Sequence, residues 1–483
     1  MSLAVLYLVQ LDGTGGVDPD EPRYIAIGRA MAASGDWIMP RLWGTPWFEK
    51  PPLIYWLAAL GTSAGLPPDL SGRLPVALLS LFFLVAYFWL LYSEFGFRTA
   101  AVSSLLLGTS AGWMAYSFLA LTDLPMAAFF SLAVLILLPL VGNRAVALQD
   151  QRWRMAAAGG AIGLSALAKG LVPVVLILPA FWFCRRYLRQ AWIAIVVFLV
   201  IAAPWFVAVY RQSGWPFIEE LFLKQHLSRL YSPVFVHVRP PYYYVPVLLT
   251  ALFPWTPLLF LLAPRWRQHL LRDEKRQFLA AIVLFGFVFF SLSLNKLPGY
   301  VLPLLPPLFA WLGLWFEDRR PADIPRQLVV ACTLLIAVIP FLTLVLPAVL
   351  SGQPWWPVPV VLKPTLVAFA LVPVGFALLA RRPWLGPMAL FACIAAAFYL
   401  KEQAVPLLDR EVSMRELYRE LEPHIDEVCD GGLHRRAQYQ FALYVGHPLP
   451  LCGTGDFSLK LSQRGNERPV VAAAVVPGGG SSK

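Results

Sequence analysis

The sequence predicts an all-α polytopic membrane protein with a small mixed α/β domain at its C-terminal end, and three observations lead there. Hydrophobic residues fill 58% of the 483 positions against 14% charged, with a mean hydropathy of +0.64, which is too apolar for a soluble chain of several domains. Apolar stretches that supply the roughly 20 residues needed to cross about 30 Å of hydrocarbon recur from about Ser71 to Lys401. The basic residues behind the net charge of +11 sit in short clusters between those stretches, the pattern of membrane loops and not of a nucleic-acid surface.

The elements follow in order. Met1 to Leu11 is apolar but too short to span alone, so either the start lies upstream or the first helix is truncated. It lacks a basic leader and a small-residue cleavage site, so a cleavable signal is not expected. Residues 12–52 form an outer loop expected to carry amphipathic helices along the interface. Ile25, Ala26, Ile27, Ala30 and Met31 surround Arg23 and Arg29 between Tyr24 and Ala33, and Gly35 is the stop. Pro51 and Pro52 suit the start of the next helix, where Leu53, Trp56, Leu57 and Leu60 recur at helical spacing. Trp37, Trp43, Trp47 and Trp56 read as belt residues at headgroup level.

The basic clusters set the topology. They are Arg98; Arg144 with Arg152 and Arg154; Arg185, Arg186 and Arg189; Arg265 through Arg276; Arg319, Arg320 and Arg326; and Arg381 with Arg382. The positive-inside rule places all six in the cytoplasm, so the segments carrying Asp123, Lys169, His226, Lys296 and Trp355 turn on the outer side. With an opening outward span this gives about thirteen transmembrane helices and an outer C-terminal end. Met155 to Phe183 is one apolar stretch with basic flanks, which implies a hairpin tipped by Lys169; each arm is only about 20 Å long, so the turn is recessed within protein.

After Leu400 the character changes. LDREVSMRELYRELEPHI reads as one amphipathic helix, followed by strand-like pieces around Gln440 to Val445. The expected units are a membrane domain at 1–402, an outer, periplasmic C-terminal domain at 403–476, and a flexible tail at 477–483. Cys429 and Cys452 fall in the outer domain, where an oxidising compartment permits a disulfide, whereas Cys184, Cys332 and Cys393 lie in or beside membrane helices. No CxxC metal spacing occurs.

The charges of the outer loops carry two readings each. Asp20 and Glu21 either cap the helix that follows or belong to a site. Glu49 and Lys50 are either a surface ion pair or phosphate- and metal-handling groups. Asp123, in ALTDLPM between two apolar runs, marks a site or a buried pair. Tyr242, Tyr243 and Tyr244 are interface anchors or a sugar-stacking wall.

The motifs DPDEPRY, ASGDWIMPRL, FEKPPLIYW, ALTDLPM, LAKGLVP, QHLSRL, RPPYYYVPVLL with FPW, and NKLPGYVLPLLP occur between about Val17 and Pro307. In order and spacing they resemble the lipid A aminoarabinose transferases and other polyprenol-phosphate-sugar glycosyltransferases, including the protein mannosyltransferases. The resemblance implies a C-type glycosyltransferase fold in the bacterial inner membrane, with a periplasmic site that takes its sugar from an undecaprenyl-phosphate donor. It implies Asp20 as general base and Asp123 as a second acid, with Lys50 holding the carrier phosphate. Glu21, Arg23, Lys169, Arg229, Lys296 and Tyr300 are then substrate- and phosphate-binding residues. Glu49 and His226 are the implied ligands of a divalent metal, Zn²⁺ or a harder ion such as Mg²⁺ or Mn²⁺. Gln225 stands before the histidine where related enzymes often carry glutamate, a departure that weakens the metal assignment.

The chemistry explains the residue types. Displacing a polyprenyl phosphate from an anomeric carbon builds positive charge on the sugar and negative charge on the leaving group, so cations in a dry pocket lower the barrier and carboxylates support the sugar. A hydroxyl acceptor also needs a base, whereas an ionised phosphate acceptor does not. The expected acceptor is a glycolipid such as lipid A, with a glycan or a protein as alternatives, and the rival class is a transporter or flippase of lipid-linked sugars. No Walker loop or dinucleotide fingerprint occurs, so neither a nucleotide cofactor nor a nucleic-acid partner is expected. No internal repeat favours the transporter.

Overall fold

The computed structural model describes residues 2–17, 19–142, 145–228, 238–262, 266–317, 326–351, 364–379, 382–455, 457–463 and 468–473. Within them the chain is a bundle of helices with a small α/β unit at one end. Among the described residues seven helical stretches are long and apolar enough to cross a membrane: Pro68–Gly108, Asp123–Leu140, Arg185–Ser213, Glu274–Leu292, Pro298–Phe316, Arg326–Val345 and Trp384–Val412. Two shorter apolar helical stretches, Leu53–Ser63 and Val172–Phe183, stand beside them.

Punctuation residues decide where these helices turn. Pro68–Gly108 is a run of 41 residues in which two helices meet at Gly96, whose φ of 80° and ψ of 173° kink the chain beside Arg98. Helix Leu148–Lys169 ends on Gly170 and the chain returns through Val172–Leu176 and Leu178–Phe183, so the hairpin tipped by Lys169 is present. Pro52 precedes Leu53–Ser63, and Gly35, at φ 72°, stops Asp20–Ser34, both as expected. Ser2–Leu8 is a short helix held by side chains from afar: the Tyr7 hydroxyl donates to Gly108 O at 2.8 Å, and the buried Lys401 donates to Val9 O at 2.7 Å and to Leu6 O.

The first loop differs from expectation. Helix Asp20–Ser34 does not lie on the surface; Tyr24, Ile25, Ile27 and Met31 are fully buried in the main core and the helix packs along Leu53–Ser63. Its two arginines are absorbed by specific partners, and this lets the helix enter the core. The tryptophans make specific protein contacts. Trp56 donates its indole N–H to Trp37 O at 2.7 Å, Trp43 stacks on Tyr439, and Trp47 lies under Arg23.

The C-terminal unit has its own core of Met414, Leu417, Leu421, Val428, Leu433, Ala437, Phe441 and Leu461. Three strands, Val428–Asp430, Leu459–Ser462 and Val470–Ala473, form a sheet in that spatial order, parallel in the first pair (Val428 opposite Leu459) and antiparallel in the second (Leu459 opposite Ala473). Cys429 and Cys452 form a disulfide. Two expectations fail here. The proposed single helix is split: Arg382–Val412 runs through residue 402, Ser413 interrupts, and Arg415–Leu421 and a 3-10 stretch Glu422–Glu427 follow. The Ser413 hydroxyl accepts from Arg415 N at 3.0 Å and starts the second helix, a local bond that competes with continuation of the first. Residues 440–445 are not strands but the end of helix Arg435–Val445. That segment is apolar on two sides because it serves two cores, with Phe441 facing the small one and Leu443 the main one. The tail at 477–483 lies outside the described residues.

Candidate active site

Asp20 and Glu21 open one helix side by side and face different surroundings. They are the first two residues of helix Asp20–Ser34, after Pro19. Glu21 is fully buried and pairs bidentately with Arg73, Oε1 accepting from Nε at 2.8 Å and Oε2 from Nη2 at 2.7 Å; it also accepts from Ala120 N at 3.0 Å. Arg73 spends its other donors on the carbonyls of Leu11 and Gly15, each at 3.0 Å, and of Thr14. The sequence assigns Glu21 to the substrate; the structure gives it instead to a buried clasp joining residues 11–15, helix Pro68–Gly108 and the segment leading to Asp123. Asp20 pairs with Arg23 one turn on and keeps its side chain 38% exposed.

Arg23 links the loop acid to the cleft. It donates to Asp20, to Glu49 at 3.1 Å and to Pro19 O at 3.1 Å. Burial works against its charge, but Asp20 and then Glu49 more than reverse that, and the guanidinium is held above its ordinary pKa. Glu49 therefore pairs with Arg23, while the Lys50 ammonium donates to Glu49 O at 3.3 Å.

Asp123 begins helix Asp123–Leu137 and Lys169 ends helix Leu148–Lys169, so the acid sits at a positive helix end and the base at a negative one. Their side chains form an ion pair, and the Lys169 ammonium lies 4.6 Å from the centre of the Tyr300 ring. Gly299 makes this approach feasible, because a Cβ there would collide with the Asp123 carboxylate.

Of these residues, Glu49, Lys50, Lys169 and Tyr300 line a cavity of about 370 Å³ together with apolar Val172, Phe222 and Phe289. Phe222 and Gln225 reach it from the π-helical stretch Glu219–Ser228, a geometry that recurs at functional sites and that carries the backbone of His226. Arg229 and the side chain of His226 lie outside the described residues. Lys296 does not line the cavity: it is 3% exposed, donates to Arg239 O at 3.0 Å and to Ser293 O, and burial lowers its ammonium pKa. It braces the chain turn instead of offering a free cation. Tyr244 is likewise a core residue, its hydroxyl donating to Leu297 O at 3.2 Å, while Tyr242 is exposed.

Sequence reasoning missed Arg73, Gly299, Phe222 and Tyr439. Gly299 stood in a quoted motif. Arg73 carried a signal too, as a charge inside an apolar run, where a paired partner is the rule. Among the described residues no group of three or more His, Cys, Asp and Glu gathers to hold a metal, and one Glu49 oxygen is taken by Arg23.

A family profile described as dolichyl-phosphate-mannose-protein mannosyltransferase matches residues 4–214. The undecaprenyl phosphate-alpha-4-amino-4-deoxy-L-arabinose arabinosyl transferase of Pseudomonas paraeruginosa is 34% identical over 342 residues, covering 67% of this chain and 60% of that protein. The protein of the same description from Serratia proteamaculans is 30% identical over 329 residues, 65% of this chain and 58% of its own length. The chain thus spans about 60% of the length of the curated relatives it matches. The crystal structure of ArnT from Cupriavidus metallidurans bound to undecaprenyl phosphate superimposes with a TM-score of 0.75 at 25% identity, over 94% of this chain and 85% of that one. These matches agree with the resemblance read from the motifs, and the helical fold is similar to that of ArnT.

Proposed function

We propose that this chain is a multi-pass membrane glycosyltransferase that moves a sugar from an undecaprenyl-phosphate donor to an acceptor on the outer face of the bacterial inner membrane, with lipid A as the favoured acceptor class. The observation that carries the reading is the cavity itself, in which two lysines, Lys50 and Lys169, stand over an apolar wall of Val172, Phe222 and Phe289. An isoprenoid phosphate presents that combination of charge and grease. The likeness to an ArnT bound to undecaprenyl phosphate supports the same donor.

Lys50 and Lys169 neutralise charge that gathers on the departing phosphate, and Asp123 fixes Lys169 in place. Asp20, half-open to water, serves as base for a hydroxyl acceptor or as electrostatic support for the sugar. Tyr300 orients Lys169 through its ring. Arg229 remains a proposed phosphate contact on the motif alone. In this reading the chain crosses the membrane about thirteen times and the C-terminal unit is periplasmic.

A divalent metal on Glu49 and His226 is a proposal from the motif only, and no step above depends on it. Its test is dialysis against a chelator followed by Zn²⁺, Mg²⁺ or Mn²⁺: turnover lost and restored by one ion supports the site, and unaltered turnover rejects it. The transferase reading is tested by incubating purified protein in detergent with an undecaprenyl-phosphate sugar and lipid A. Release of undecaprenyl phosphate with a sugar gained by the acceptor is expected. Movement of the donor across vesicles without its consumption indicates a transporter instead. The mannosyltransferase profile over residues 4–214 favours a protein as the second acceptor to try.

A further inference from the structure

Asp20 and the cavity-lining Glu49 share one guanidinium, that of Arg23, and are not placed by the helical bundle alone. Arg23 spends its in-plane donors on Pro19, Glu49 and Asp20, and its guanidinium carbon lies 5.4 Å from the Trp47 ring centre and 5.0 Å from that of Tyr439. Tyr439 comes from the C-terminal unit. Its ring stacks on Trp43 at 5.5 Å with 25° between planes, and its hydroxyl accepts from Arg435 Nε at 3.3 Å. Trp43 takes a φ of 49°, in the left-handed region that side chains disfavour, so its place in the stack is held against a backbone preference. The helix bearing Tyr439 is itself fixed to the first loop: Arg29 donates to Leu443 O at 2.7 Å, and Gln440 donates to Gly16 O.

We infer that Tyr439 is a positioning residue for the transfer site: it clamps Arg23, and through Arg23 it sets the places of Asp20 and Glu49. The C-terminal unit then acts on the site through Arg23, without itself lining the cavity. A guanidinium edged by two carboxylates and covered by aromatic rings exchanges few contacts with water. Removing the Tyr439 ring admits water beside Arg23 and loosens both acids, one of which lines the cavity. The donor keeps Lys50, Lys169 and the apolar wall, so the loss falls on turnover and not on donor binding. The rate consequence rests on the transferase reading, whereas the clamp rests on the contacts alone.

Two measurements on the full chain in detergent separate them. The first, which needs no turnover, is labelling of Arg23 by an arginine-selective dicarbonyl reagent, mapped by mass spectrometry. Tyr439→Ala is expected to raise Arg23 labelling about ten-fold, while Tyr439→Phe and Tyr439→Trp stay within about two-fold of the parent. Tyr439→Leu fills the space without a π face and is expected to follow Ala; Leu behaving like Phe overturns the clamp. The second is the transfer assay, where Tyr439→Ala lowers kcat about ten-fold with donor KM within about two-fold, and Phe restores it. Arg23 labelling that is equal in the parent and Tyr439→Ala, or kcat equally low for Ala and Phe, overturns the inference. If the parent protein transfers nothing, the transferase reading falls and the labelling still decides the clamp.

Discussion

Asp20 and Glu21 are neighbours in sequence and opposites in the fold. Glu21 is sealed with Arg73 in a pair whose donors are matched by a carboxylate and three carbonyls, while Asp20 keeps one side in water and shares a single guanidinium with Glu49. The first arrangement leaves nothing for a ligand to bind. The second leaves Asp20 38% exposed and places Glu49 in the lining of a cavity beside Lys50 and Lys169. Saturation of partners, more than the presence of charge, separates an acid that holds the fold from one that is available to a substrate.

The contrast can be broken at either end. The largest effect is expected from Glu21→Ala, which strands a buried Arg73 and should cost about 3–5 kcal/mol of stability, read as loss of folded protein or a collapse of the thermal transition in detergent. A stable Glu21→Ala protein with impaired transfer would move Glu21 back to the substrate. Lys50→Ala should do the reverse, leaving the thermal transition near that of the parent and lowering turnover about 10²–10³-fold, because the lost cation faces the departing phosphate in a water-poor cavity. Near-parental turnover in that variant removes Lys50 from the site.

Asp20→Asn should lower turnover about 10–100-fold with donor KM little changed. Its rate-versus-pH profile sharpens the role: disappearance of the acidic limb identifies a base, and a uniformly lowered profile identifies electrostatic support. The smallest effect is expected from Lys296→Ala. Its ammonium is spent on two backbone carbonyls, so the variant should lose about 1–2 kcal/mol of stability and less than about ten-fold in turnover. A drop in turnover as deep as that of Lys50→Ala would show that Lys296 reaches the phosphate after all.

What was legible in the sequence was local. The Lys169 hairpin, the helix start after Pro52 and the stop at Gly35 all rest on hydropathy or on glycine and proline, which act within a few residues. The cluster of Lys50, Lys169 and Tyr300 was reachable through motifs and loop topology. Partner choice was not legible, because Glu21 finds Arg73 at 52 positions' distance and nothing in DPDEPRY distinguishes the acid that turns inward from the one that turns outward. The run FALYV at 441–445 misled for a related reason: a short, nearly continuous apolar run does not by itself distinguish the buried end of a helix from a strand.

The contacts between the first loop and helix Arg435–Val445 join positions 414 and 424 residues apart, Arg29 with Leu443 and Gly16 with Gln440. Synthesis at roughly 5–20 residues per second separates the emergence of these partners by roughly 20–80 s. For that interval the newly made loop exists without the helix that secures it, and its acids and tryptophans stand open to chaperones and proteases. A ribosome that stops short of helix Arg435–Val445 leaves a chain whose first loop still lacks this anchor.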